Sequence, residues 1–330
     1  MSDDTKPQTR QKVAAVIYNP IKVELPEIEA VVATEQEAAG WGETLWFETT
    51  AEDPGAGATD AALEQGVDMI IVAGGDGTVR AVAEAAHGRG VALALLPSGT
   101  GNLLARNLDL TLDDLEHSIH SALTGDDRAI DLGMIDIKRS DQSVDRHAYV
   151  VMAGAGLDAK MLAHTDDELK AKVGWLAYVK AIVLALREKN ELRVRFKLDD
   201  QRTRSLRAHT VIIGNCGTLQ ANVLLMPEAA VDDGLLDIVL MKPEGVISWA
   251  QVLGKIVWEN GVLSRTKLGR KLQTKEVDAL NYLKGERFTL TFREPEPIEL
   301  DGDELGEAIA FRTWVEAGGL TVRVPAGSME

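Results

Sequence analysis

Cysteine is almost absent from this chain of 330 residues. The single one, Cys216, allows neither an intrachain disulfide nor a cysteine-cluster metal site. It follows an apolar run in I-I-G-N-C-G, which reads as a packed thiol rather than a nucleophile. Long apolar runs are absent too, and none approaches the length that spans a bilayer. The first dozen residues are polar and lack the apolar stretch of a signal peptide, so a cytosolic location is expected. Positive charge is in deficit: 35 Lys and Arg stand against 52 Asp and Glu, a net charge of −17. That balance argues against nucleic acid as a partner and makes an anionic membrane a poor match for the average surface. There is no internal repeat and no low-complexity stretch.

What the chain does have is glycine placed behind apolar runs. Met69–Ala73 runs into G-G-D-G-T, and Val79–Ala86 then has helical spacing. That pattern predicts a buried strand, a tight turn and a helix start. Alone it would be an ordinary βα turn with Asp76 or Thr78 as a helix cap. A second case follows one βαβ unit later, where Val91–Leu96 leads into P-S-G-T-G-N and L-L-A-R-N-L. Parallel strands present such turns on one sheet edge. Glycines admit a ligand close to the backbone and helix N-termini favour anions, so the pair predicts a phosphate cradle.

Strands at Val13–Tyr18 and Thr44–Glu48 and helices at Glu24–Ala39, Ala58–Gln65 and Leu112–Leu123 complete an alternating first half. It predicts a doubly wound parallel α/β domain over residues 1–127. Beyond Thr124-Gly125-Asp126-Asp127 the pattern changes. Ala129–Ile137, His147–Ala153, Leu192–Leu198, Ala208–Ile213, Leu235–Met241, Arg287–Phe292, Ile309–Val315 and Leu320–Val324 read as strands, interrupted by a helix-rich insert at Ala159–Arg187. Residues 128–330 are therefore expected to form an antiparallel β-sandwich, with the last residues free to pack back on the first domain. Two other stretches stand out. Val246–Leu263 carries Trp249 and Trp258 and precedes the basic Ser264–Lys275, a combination that suits a membrane interface or a core helix with a solvated turn. Arg187–Arg207 is also basic, and its R-V-R-F-K alternation reads as a strand with one wet face.

G-G-D-G-T followed by P-S-G-T-G-N-x-x-A-R resembles the diacylglycerol kinase catalytic family, which includes bacterial soluble lipid kinases and sphingosine and ceramide kinases. Later segments resemble it too: Ala153–Ala159; Lys170, Gly174 and Tyr178; Pro227–Asp237; and Glu299–Gly306. The resemblance implies a phosphofructokinase- or NAD kinase-like α/β domain, then a β-sandwich, with the active site in the cleft between them. It implies ATP and Mg²⁺ and a lipid alcohol acceptor, most often diacylglycerol. It also implies transient contact with the inner face of the membrane, and a homodimer stays open.

By the same resemblance Gly74, Gly75, Gly77, Thr78, Gly99, Thr100 and Gly101 hold ATP phosphates. Asn19 matches an N-P turn, although Ile21-Lys22 replaces the family's small residues, and Thr50, or Thr49, matches a nucleotide-contacting threonine. Asp76 orients the Mg·ATP network or the acceptor. Asp303 stands where the family carries its glutamate base, one methylene shorter, and Asp301 could share the load. A structural Mg²⁺ would take the Asp233 carboxylate and the carbonyls of Ala230 and Leu235. Two rivals remain: a kinase of a soluble acceptor such as NAD, and a nucleotide- or lipid-binding sensor that has lost catalysis.

Overall fold

A computed structural model describes residues 10–99, 101–156, 192–218, 225–242 and 280–328. They group into two compact units. The first holds residues 10–99, 110–128 and 320–328, and the second holds 101–109 and the described parts of 129–319. The insert with Lys170, Gly174 and Tyr178, the Trp249/Trp258 segment, the basic stretch after it and Thr100 lie outside the described residues.

The first unit alternates β1 (Ala14–Tyr18), α1 (Leu25–Ala38), β2 (Leu45–Glu48), α2 (Ala56–Glu64), β3 (Met69–Gly74), α3 (Asp76–Ala86) and β4 (Ala92–Pro97). The chain enters the second unit with α4 (Leu103–Asn107) and returns for α5 (Leu115–Thr124). Every residue of β1 and β3 is buried, as expected of parallel strands covered on both faces. The sheet order is β2–β1–β3–β4, all parallel, and Val322 near the chain end pairs in parallel with Leu93. Ile28 and Val32 of α1 and Ile119 and Leu123 of α5 pack on one face with Val16, Met69 and Ile71. The Trp41 indole N–H donates to the Leu123 carbonyl at 3.0 Å and locks α5 to the loop after α1.

The second unit is a β-sandwich of antiparallel strands. They are β5 (Asp126–Lys138), β6 (Val144–Tyr149), β7 (Met152–Ala155), β8 (Leu192–Leu198), β9 (Arg204–Ala208), β10 (Thr210–Gly214), β11 (Leu236–Met241), β12 (Leu280–Gly285), β13 (Arg287–Leu300) and β14 (Asp303–Val324). One path runs β12–β11–β10–β7–β13, β8 joins β13 to β9, and β5 pairs with β6. The core is apolar and aromatic, with Phe196, Phe288, Phe292 and Phe311 in a chain of tilted ring contacts.

Three expectations change. The segment Gly101–Asp109 belongs to the second unit, not to the α/β domain. Asn107 explains it: its side chain donates to the Thr218 carbonyl at 2.9 Å and accepts from the Thr218 N–H at 3.0 Å. The strand expected at His147–Ala153 is two strands, broken at Val150-Val151, whose N–H groups turn to the Asp301 carboxylate. The two strands expected near the end are one, β14.

Gly133 and Tyr149 lie directly opposite in β5 and β6, and the Tyr149 ring covers the space a Cβ at Gly133 would fill. Thr313 donates to the Met134 carbonyl at 2.7 Å, so the buried Tyr149 hydroxyl donates to Thr313 at 2.8 Å. Gly133→Ala would push this ring out of place. We expect a loss of about 1–3 kcal/mol in a denaturant melt, as for other overpacked cores; an unchanged midpoint would contradict this packing.

Candidate active site

In the first unit four chain turns end level. Register pairs Tyr18 with Glu48 and with Ala73, and Gly74 with Pro97. The turns after β1, β2, β3 and β4 therefore share one edge, the carboxyl edge of the sheet. The order β2–β1–β3–β4 reverses between β1 and β3, and ligands of open α/β sheets bind at such a reversal. Asn19 sits there: its N–H donates to the Ala73 carbonyl at 2.9 Å, beside Gly74. Its side-chain oxygen accepts from the Ile21 N–H at 3.0 Å, which fixes the turn.

The glycines of the β3–α3 turn differ in purpose. A Cβ at Gly74 would meet the buried Thr78 side chain at 2.7 Å, so Gly74 serves packing. A Cβ at Gly75 would meet nothing within 4 Å, and its extended backbone suits any residue. Neither sterics nor conformation within the protein explains that glycine, whereas close approach of a ligand does. Gly75 precedes α3 as its N-cap and, being glycine, offers the helix no capping side chain of its own. Asp76 and Gly77 occupy the first turn. Lys22, replacing the expected small residue, lines a cavity of about 300 Å³ with Ser98, Asp113 and Asp114. Gly99 follows β4, whereas Gly101 lies in the second unit.

Thr50 is exposed, and its hydroxyl accepts from the Asp53 N–H at 3.0 Å; Thr49 is buried. Asp53 is a residue the sequence reading passed over. Its carboxylate accepts from Gly55, Gly57 and Ala58 N–H at 3.0–3.1 Å and caps α2. Burial pushes its carboxyl up, but those N–H groups outweigh burial and hold it below the usual carboxylate range. An acid just ahead of a Pro-Gly helix start was the available signal.

In the second unit β13 and β14 are joined by the two-residue turn Asp301-Gly302, with φ of +51° and +93°. Asp-Gly is the pair such a hairpin favours. The buried Asp301 carboxylate accepts from Val150 N–H at 2.8 Å, Val151 at 2.9 Å and Met152 at 2.8 Å. Its own N–H donates to the Met152 carbonyl at 2.9 Å. This corrects the expectation that Asp301 shares proton abstraction: both its oxygens hold the backbone between β6 and β7. Asp303, two residues on, opens β14 and is exposed.

The diacylglycerol kinase catalytic domain profile matches residues 14–135, and that of the YegS C-terminal NAD kinase beta sandwich-like domain matches residues 151–322. The chain belongs to the diacylglycerol kinase catalytic family of lipid kinases. A Pseudomonas aeruginosa protein named "Probable lipid kinase YegS-like" is 32% identical over 306 residues, covering 92% of this chain and 91% of its own length. A Staphylococcus carnosus diacylglycerol kinase is 25% identical, covering 90% of each chain. The crystal structure of a diacylglycerol kinase from Bacillus anthracis superposes with a TM-score of 0.68 at 21% identity, over 95% of this chain and 96% of that one. Yeast NADH kinase shares the fold at a TM-score of 0.52 and 9% identity, over 97% of this chain and 85% of that one. Among the described residues no helix is long and apolar enough to cross a membrane.

One feature carried over from the diacylglycerol kinase family does not fit. A structural Mg²⁺ would need the Asp233 carboxylate, but one oxygen of it accepts from the Leu235 N–H at 3.0 Å and the other faces the Lys284 ammonium at 2.8 Å. Lys284 also donates to the Glu228 carbonyl at 2.9 Å and lies 3.3 Å from Asp237. The ammonium already supplies the positive charge at the Ala230–Leu235 loop. Burial alone would pull the lysine pKa down; Asp233 and Asp237 outweigh it and hold the pKa above its ordinary value. Burial pushes the Asp237 carboxyl up. The loop itself hangs on the buried Asp131, which accepts from Gly234 N–H at 2.6 Å and Gly318 N–H at 2.9 Å. An acid inside the apolar run A-I-D-L-G-M was the only sequence sign of that role.

Two outcomes follow from these assignments. Asp301→Asn exchanges charge-assisted bonds for weaker ones and strands one amide hydrogen bond, so the melt should lose about 2–4 kcal/mol, while Asp303→Asn stays within about 0.5 kcal/mol. Equal effects of the two would contradict the clamp. For Lys284→Met we expect a loss of about 1–2 kcal/mol, part of which millimolar Mg²⁺ restores. The parent protein should show the same Tm in Mg²⁺ and in chelator; a Tm that rises as steeply with Mg²⁺ in the parent as in the variant would return the metal to this loop.

Proposed function

We propose that this chain transfers the γ-phosphoryl group of Mg·ATP to the primary hydroxyl of a lipid, diacylglycerol in the first instance, giving phosphatidic acid and ADP. The observation that carries the reading is the β3–α3 turn: a glycine with open space over it, at the N-terminus of a helix and at the reversal point of a parallel sheet. Phosphoryl transfer asks mainly for positioning and charge neutralisation. The amides of Gly75 and Gly77, with Thr78 packed behind Gly74, would hold the phosphate chain, and Asn19 and Thr50 would border the nucleotide. Asp76, in the first turn of α3, would orient the Mg²⁺ that arrives with ATP.

The acceptor oxygen attacks the γ-phosphorus as the bond to the ADP oxygen breaks, and its proton needs a base. Asp303 is that base: it is exposed at the head of β14, on a hairpin whose turn Asp301 fixes. The names of the relatives support a lipid acceptor, and diacylglycerol is the one that recurs among them. The reaction takes place at the inner face of the membrane, where such an acceptor lies.

The test is label transfer from ATP, with Mg²⁺, to diacylglycerol, ceramide, a sphingoid base and phosphatidylglycerol in mixed micelles, with NAD as a soluble alternative. We expect labelled phosphatidic acid. Gly75→Ala and Asp303→Ala should each lower turnover by about a hundredfold or more, while their melts stay within about 1 kcal/mol of the parent. Label on NAD without lipid would move the acceptor to the soluble phase. No label on any acceptor, with ATP binding intact, would make the protein a sensor.

A further inference from the structure

The basic alternation in Arg187–Arg207 reads in the sequence as a wet face of a strand with no further task. The structure gives it a shape. Leu192, Val194, Phe196 and Leu198 of β8 face the core, and Arg193, Arg195 and Lys197 face out. On one side, Arg207 and Ser205 of β9 stand directly opposite Arg193 and Arg195. On the other, Thr291 of β13 stands opposite Arg195, and Arg293 follows on the same face. Arg193, Arg195, Arg207 and Arg293, with Ser205 and Thr291, line an open cavity of about 640 Å³.

Two features separate this groove from an ordinary solvated face. Directly opposed like charges destabilise a sheet, yet here arginine opposes arginine across β8 and β9. In the second unit Arg139 pairs with Asp145, and both Arg146 and Arg312 with Asp136. Among the described residues no carboxylate pairs with Arg193, Arg195 or Arg293. In a chain of net charge −17 this is a local reversal of sign. Guanidinium groups are suited to phosphate oxygens, which they can grip through two parallel hydrogen bonds.

We propose that this groove docks the protein on the phosphate groups of an anionic phospholipid bilayer. A single free phosphate engages one or two arginines. Here cations are spread across three strands, about 5 Å apart between strands and about 7 Å between alternate positions along one. That arrangement fits a two-dimensional array of phosphates better than a single ion. The inference rests on the lipid-kinase reading only for the choice of a bilayer as the source of phosphate. It also assigns membrane contact to residues apart from the Trp249 and Trp258 segment.

The test is co-sedimentation of the full chain with vesicles of phosphatidylcholine alone and of phosphatidylcholine with an equal share of phosphatidylglycerol, at low and high salt. We expect binding only to the anionic vesicles, weakened by salt. The double variant R195Q/R293Q should bind about tenfold or more weakly, and R195K/R293K should keep most of the binding because it keeps the charge. Thermal shift of the parent with inorganic phosphate separates the two sources of the ligand. A saturable shift that R195Q/R293Q abolishes, with vesicle binding unchanged, would overturn the bilayer in favour of a small-anion site. Equal vesicle binding by parent and R195Q/R293Q, with no phosphate shift, would overturn the groove altogether. Transfer to a dispersed short-chain diacylglycerol should be the same in parent and variant. If the parent transfers no label to any lipid yet binds anionic vesicles through these arginines, the kinase reading fails and the docking surface stands.

Discussion

The Asp301 carboxylate, with three backbone N–H groups on its two oxygens, is the interaction on which the second unit's hairpin depends. Buried amides must find partners, and where β6 gives way to β7 the sheet ladder does not supply them. A carboxylate at the β13–β14 turn does so instead, from 150 residues away in the chain. The same device recurs. Asp131 gathers the amides of Gly234 and Gly318, and Asp53 gathers those at the start of α2. In each case an aspartate replaces missing backbone pairing and fixes a loop. Asp301 is committed in this way, and Asp303, two residues on, opens β14 as an exposed residue.

The carboxyl edge of the first unit's sheet has a different origin. It follows from strand order. Once β1 and β3 pair in parallel and β2 lies on the far side of β1, the turns after β1, β2, β3 and β4 come out on one edge. Asn19, Thr50, Gly75 and Gly99 are brought to that edge by topology rather than by local sequence. The local sequence then decides what the edge can bind. Gly74 makes room for Thr78, Gly75 leaves open space at the start of α3, and Lys22 adds a cation where a small residue was expected. A parallel sheet thus places donors, and glycine keeps them accessible.

The α/β half was legible because its strands are short apolar runs with turn residues at both ends, and its helices carry their own period. Both signals are local. The break at Val150-Val151 was not legible, since nothing near those residues announces it and its cause sits at Asp301. The two strands expected at Ile309–Val315 and Leu320–Val324 merge for a similar reason: Gly318-Gly319 reads as a break, yet Asp131 holds the Gly318 amide and the strand runs on. At the Asp233 loop, family resemblance pointed to a metal, whereas the charge partner is Lys284, some fifty residues later and invisible to spacing. The arginine alternation in β8 was visible as a pattern. Its meaning depended on β9 and β13 bringing further arginines to the same face, which only the strand register could show.

The central claim is that ATP phosphates rest on the turn between β3 and α3. Glycine-selective amide spectra, recorded while a non-hydrolysable Mg·ATP analogue is added, test it directly. The account predicts that Gly74, Gly75 and Gly77 shift together and saturate, while Gly133, packed under Tyr149, stays still. Saturable binding that leaves those three amides unmoved would contradict it.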